Sequence, residues 1–276
     1  MAPILTKLAK VLPSFISPSL LTLLTVPFSL AYLYYLSIGN YVLAIILLIV
    51  SALLDALDGA LARLRGIASP RGALLDSSVD RINDVIYAFS LHYLGVPWPL
   101  VFLWGTGSIL ISLTRAAAEI ERVKLEGFGL MERGDRVVAL LLLILIHYAE
   151  SKVTPVSFKY TNAFAAGLTA LIWLTVFQRS LISGSRLAMW VGLNLSILTF
   201  VLLTKGMSQA LGFFGYTGAL THIYIALRAK SLGLPYPLDQ PDVILDSLML
   251  LSFIYLMGTP SWIFAIIRLI RYLKKL

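Results

Sequence analysis

The stretch from Asp55 to Asp80 reads DALDGALARLRGIASPRGALLDSSVD, in a chain with no acidic residue in its first 54 positions. Asp55 and Asp58 stand three apart and Asp76 and Asp80 four apart, so each pair projects from one face of an α-helix. Gly66 and Pro70 lie between the pairs, in a segment from Leu64 to Arg71 that can turn the chain. Two antiparallel helices joined there gather four carboxylates at one end of a bundle.

The surroundings of this stretch are apolar. Of 276 residues, 59% are hydrophobic and only 13% charged, with mean hydropathy +0.88. Soluble domains carry roughly a quarter charged residues. The composition therefore argues for an integral membrane protein and against a water-soluble enzyme, a nucleic-acid binder or a disordered chain. The absence of Cys excludes disulfides, thiolate metal sites and a cysteine nucleophile. Lys and Arg outnumber Asp and Glu by 22 to 14, an excess explained by the positive-inside bias of membrane proteins. Lys7 and Lys10 precede an apolar run long enough to span, with no small-residue cleavage site behind it, so no cleavable signal peptide is expected.

The apolar runs predict an all-α integral membrane bundle with spans near residues 19–38, 41–62, 74–95, 98–120, 135–149, 160–178, 187–204, 207–227, 242–257 and 260–273. The last two are short enough to form a re-entrant pair instead. With both termini cytoplasmic, every Lys and Arg except Lys152, Lys159 and Lys205 falls on the inner side. The protein is thus expected to be multi-pass in the cell membrane, with its chemistry at the cytoplasmic face. Residues 1–178 are read as a six-span core with an N-terminal interfacial segment, and residues 179–276 as about four additional membrane helices.

Four unneutralised carboxylates at the end of an apolar bundle repel one another and are costly to desolvate. Divalent cations remove that cost, and a ligand set made only of oxygen favours Mg2+ or Mn2+ over Zn2+. Any single one of these residues also fits a helix cap paired with Arg63, Arg71 or Arg81. Four together fit a cation site better.

The spacing Asp55-x2-Asp58-Gly59-x2-Ala62-Arg63-x8-Gly72-x3-Asp76-x3-Asp80 resembles the CDP-alcohol phosphotransferase signature at each of its eight fixed positions. Upstream, Pro18-Ser19-Leu20-Leu21-Thr22 is similar to that family's entry to its first span, with Ser in place of Asn. The signature covers residues 55–80, and the span pattern extends the resemblance over residues 15–178. The resemblance implies a six-helix core, often a homodimer packed through its spans, that transfers a phosphoalcohol unit from a CDP-linked donor to an acceptor hydroxyl and releases CMP. It implies that Asp55, Asp58, Asp76 and Asp80 hold two Mg2+ ions, and that Asp80 is also the general base. It assigns donor binding to Asp55, Asp58, Gly59, Ala62, Arg63 and Gly72. The physical chemistry agrees, since paired divalent ions stabilise in-line attack on phosphorus and Arg suits phosphate.

A second polar cluster follows the fourth span: Arg115 to Glu119, then Glu132-Arg133-Gly134-Asp135-Arg136. Arg133 and Arg136 share a helix face, and with Arg115 they could cradle a phosphate on the acceptor. A cytoplasmic loop in which Glu132 and Asp135 pair with these arginines is the competing reading. The cluster resembles the branch of the family that uses inositol 1-phosphate, which makes a CDP-linked lipid the expected donor and inositol 1-phosphate the expected acceptor. It departs from that branch at Leu113 and Asp135. Transfer from CDP-inositol, acceptors of the choline, ethanolamine or glycerol-phosphate type, and a cation transporter stay open. Asp239, Asp242 and Asp246 form a further acidic group read as a capped helix start, and His92, His147 and His222 are assigned no role.

Overall fold

The computed structural model describes residues 3–13, 15–123, 125, 128–153, 158–183, 209–234 and 259–275, which form nine α-helices and one 3-10 turn. They are α1 (Pro3–Val11), α2 (Pro18–Ser37), α3 (Tyr41–Leu64), α4 (Pro70–Ser90) with the 3-10 turn Leu91–Leu94, α5 (Trp98–Ile120), α6 (Arg133–Val153), α7 (Lys159–Ser183), α8 (Gln209–Ser231) and α9 (Thr259–Lys275). The expected spans at 187–204 and 242–257 lie outside the described residues; each of the others coincides with a helix.

Local chemistry sets the boundaries. Ser17 and Ser69 each accept a hydrogen bond from the backbone N–H three residues on, at 3.2 and 3.1 Å, with Pro18 and Pro70 in the first turn that follows. Asn40 caps α3 in the same way, and Gly66, at φ +67°, ends the turn after that helix. Glu150, at the end of α6, accepts from the N–H groups of Tyr160 and Thr161 at 2.9 Å and from the Thr161 hydroxyl at 2.7 Å, tying the start of α7 to its neighbour.

Four helices, α2, α3, α5 and α7, are long and apolar enough to cross a membrane. Helices α4 and α6 reach a similar length of 21 residues but carry charge in the half nearest the aspartates. With only 17 residues and both Arg268 and Arg271, α9 falls short of the ~20 apolar residues that a straight span needs.

Helix α4 is central, packed against α2, α5, α8 and α9. Its seam with α2 and α3 is polar and small. Ser29 and Ser51 lie 2.9 Å apart and both meet the Tyr87 hydroxyl, Asn83 donates to the Thr25 hydroxyl at 2.8 Å, and Tyr32 pairs with Ser90 at 2.7 Å. In a membrane such contacts hold helices together, since lipid offers no hydrophobic force between them. Helix α5 runs between α7 and α8. Gly105 permits the approach to α8, where a Cβ would come within 2.7 Å of the Phe213 ring. Beside the end of α3, the Arg65 guanidinium donates to the carbonyls of Pro13 and Ile16, fixing the chain between α1 and α2.

Candidate active site

The C-terminal half of α3 and the N-terminal half of α4 converge as their spacing predicts. Carboxylate oxygens of Asp55, Asp76 and Asp80 all lie within 4.8 Å of one another. Arg133 Nη1, at the start of α6, stands 2.5 Å from Asp55 and 2.7 Å from Asp80. Asp58 is set apart. It is only 4% exposed and accepts a 2.5 Å hydrogen bond from the Thr22 hydroxyl on α2. The expected quartet is therefore a trio with a fourth carboxylate one helical turn away, because Thr22 holds Asp58 toward α2.

Two cavities flank these aspartates. The first, of about 290 Å³, is lined by Thr22, Asp58, Gly59, Ala62, Arg63, Gly72 and Asp76. All the expected donor-binding positions except Asp55 meet there. Arg63 folds back over Gly59, where a Cβ would come within 3.3 Å of its guanidinium.

The second cavity, of about 330 Å³, brings together Asp76, Asp80, Arg115, Arg133 and Arg136. Asp76 lines both, so the two spaces adjoin at one carboxylate. Behind this wall, Asp84 is 4% exposed and organises the cations. Arg136 Nη2 donates to its two oxygens at 3.3 and 3.2 Å, and Arg81 Nη2 lies 3.2 Å away. Charge-assisted contacts of this kind fix a guanidinium plane. The pairing expected for the loop reading is not what forms: Glu132 meets Arg179 at 3.0 Å, and Asp135 accepts from the Glu132 N–H at 2.9 Å as a helix cap. Arg133 and Arg136 turn instead to the aspartates of α3 and α4.

The trio suits a hard divalent ion. Its donors are all oxygen, the three come from two rigid helices, and buried Asp80 Oδ1 has a 2.7 Å ion-pair contact with Arg133 Nη1 but no aligned hydrogen bond. No His or Cys belongs to the group.

Residues 15–198 match the CDP-alcohol phosphatidyltransferase family. The chain belongs to that family. Among similar proteins, the archaetidylinositol phosphate synthase of Aeropyrum pernix is 38% identical over 138 residues, covering 50% of this chain and 68% of the relative. The archaetidylinositol phosphate synthase of Pyrococcus horikoshii is 34% identical over 187 residues, 67% of this chain and 93% of the relative. A crystal structure of the Mycobacterium tuberculosis phosphatidylinositol phosphate synthase with CDP-DAG bound aligns with a TM-score of 0.49 at 28% identity, over 67% of this chain and 92% of that one.

This CDP-alcohol phosphatidyltransferase family member carries site residues that its signature does not mark. Arg81, Arg179, Tyr224 and Arg228 line the second cavity, and Asp84 anchors it. Asp84 stands four residues beyond Asp80 and three beyond Arg81, so its helix face was readable, but its second arginine partner, Arg136, lies on another helix. Arg179 and Arg228 are indistinguishable in sequence from cations that merely obey the positive-inside rule. Asp239, Asp242 and Asp246 lie outside the described residues. Of the histidines, His147 pairs with the Tyr41 hydroxyl at 3.1 Å, away from both cavities.

Proposed function

We propose that this membrane transferase moves a phospholipid unit from a CDP-linked lipid, of the diacylglycerol or archaeol type, to a hydroxyl of inositol 1-phosphate, with release of CMP. The observation that carries the proposal is the pair of cavities adjoining at Asp76. One is lined by the donor signature, and the other by arginines beside Asp80. The Aeropyrum pernix and Pyrococcus horikoshii relatives, both archaetidylinositol phosphate synthases by name, support an inositol phosphate acceptor.

In this reading the cytidine and diphosphate lie along Gly59, Ala62 and Gly72, with Arg63 at a phosphate. The acceptor phosphate binds Arg115, Arg133 and Arg136, which orients the sugar hydroxyl toward Asp80. Asp80 takes the proton as the hydroxyl oxygen bonds to the lipid-side phosphorus, and the bond from that phosphorus to the CMP oxygen breaks. Asp55, Asp58, Asp76 and Asp80 would hold two Mg2+ ions, replaceable by Mn2+, whose charge would offset that of the diphosphate. Both termini and the site face the cytoplasm in this scheme, and residues 1–178 form the catalytic core to which residues 179–276 are appended. The match to the family over residues 15–198 takes in nearly all of that core and the first twenty residues of the appended segment.

Purified protein supplied with CDP-diacylglycerol or CDP-archaeol and, separately, inositol 1-phosphate, glycerol 3-phosphate, serine or inositol tests the assignment, with products identified by mass. The expected product is the inositol phosphate lipid. Product only with serine or glycerol 3-phosphate, or only when CDP-inositol replaces the lipid donor, overturns it.

A further inference from the structure

Helix α8 begins after the segment that matches the family, yet it reaches the second cavity. Tyr224 and Arg228 are one helical turn apart, share a face and both line that space. Tyr224 is 4% exposed and lies beneath the Arg81 guanidinium, 5.0 Å from ring centre to Cζ, while packing on Leu113 and Ala116 of α5. Arg228 is held at one corner, with Nη1 on Glu119 and 3.3 Å from the Ser231 hydroxyl. Ser231 in turn donates to the same Glu119 oxygen at 3.2 Å.

These clamps leave donors unused. Arg228 Nε, and both Nε and Nη1 of Arg81, are buried without a hydrogen-bond partner. Buried guanidinium N–H groups left unpaired cost free energy that an anion's oxygens would recover. Arg81, Arg115, Arg133, Arg136, Arg179 and Arg228 line the cavity with Asp76, Asp80 and Glu132, and Asp55, Asp84 and Glu119 pair with several of them, so the formal charges are even. The unpaired N–H groups of Arg81 and Arg228, rather than a net charge, favour an anionic guest.

We propose that α8 is a specificity element: Arg228, steadied by Glu119 and Ser231, is a further residue that binds the phosphate of a phosphorylated acceptor, with Tyr224 holding Arg81 in place beside it. This rests on the reading of the second cavity as the acceptor site. The extension beyond the family segment thereby sharpens the choice of a phosphorylated alcohol over its unphosphorylated form.

The test uses the full chain in detergent or liposomes, with Arg228→Gln, Arg228→Lys and Glu119→Gln compared with wild type. In Arg228→Gln the KM for inositol 1-phosphate is expected to rise about tenfold or more, as loss of a hydrogen bond to a charged group requires. The KM for the CDP-lipid is expected to stay within about twofold, and the preference for inositol 1-phosphate over inositol falls by the same factor. Arg228→Lys, which keeps the charge and the contact with Glu119, recovers part of the loss and supplies the measurement if the Gln variant does not fold. Glu119→Gln, which weakens the clamp but keeps the guanidinium, changes the acceptor KM less than Arg228→Gln does. An unchanged acceptor KM in both Arg228 variants, or the same change in Glu119→Gln as in Arg228→Gln, reduces Arg228 to a brace between α5 and α8 and overturns the proposal. Wild-type protein that transfers nothing to inositol 1-phosphate overturns the functional reading and this proposal together.

Discussion

Asp84 shows how one side chain serves many. It binds no expected ligand, yet Arg136 and Arg81 both depend on its charge. Removing one partner of a buried ion pair costs about 3–5 kcal/mol, because the remaining charges are left unpaired away from water. Asp84→Ala is therefore expected to lower the thermal unfolding midpoint in detergent by several degrees and to weaken acceptor binding. A melt identical to wild type contradicts this. Thr22→Val separates a second residue-scale effect. It strips Asp58 of its 2.5 Å hydrogen bond and is expected to raise the KM for the CDP-lipid several-fold, with little change for the acceptor, since Asp58 lines only the first cavity. Equal rises for both substrates in steady-state kinetics contradict that division. The eight signature residues were legible because their chemistry is local, set by spacing along two adjacent helices. Asp58's departure from the trio was not, since Thr22 is 36 residues distant and nothing in the spacing reports its hydroxyl.

At the scale of helices, Gly66 after α3 and Pro70 before the second aspartate pair were readable as a turn, and the structure places one there; the capping roles of Ser17 and Ser69 emerge only from the structure. The packing between α5 and α8 was not readable. Gly105 looks like any apolar-span glycine until Phe213 is set against it. Overpacking a close helix contact costs about 1–3 kcal/mol. Gly105→Val should lower the melting temperature and, by pushing α8 outward, raise the acceptor KM. A variant with unchanged melting and kinetics would show that α8 does not pack closely against α5 at Gly105. The polar face of α4 explains why its hydropathy understates its place in the bundle: Ser90, the Asn83 amide N–H and Tyr87 find partners on α2 and α3.

Across the whole molecule, apolar composition and the distribution of cations establish a membrane protein and predict its orientation. The chain has no native Cys, so single cysteines at Lys10 and Lys152 report the topology without background. In intact cells or sealed vesicles, Lys152→Cys is expected to react with an impermeant maleimide from outside and Lys10→Cys only after permeabilisation. The reverse pattern overturns the cytoplasmic placement of the site. The number of spans beyond α7 was less legible, because helices such as α9 mix Arg268 and Arg271 into an apolar run and no longer declare a span by hydropathy alone.

In the proposed reaction, carboxylates of α3 and α4 would hold divalent cations beside a general base. This arrangement is tested most directly by CMP release from a CDP-lipid with inositol 1-phosphate, measured with and without EDTA and in Asp80→Asn. Release that EDTA stops and added Mg2+ restores is expected, with a loss of about 10²–10⁴-fold in correctly folded Asp80→Asn. Undiminished turnover in that variant, or turnover indifferent to chelation, contradicts it.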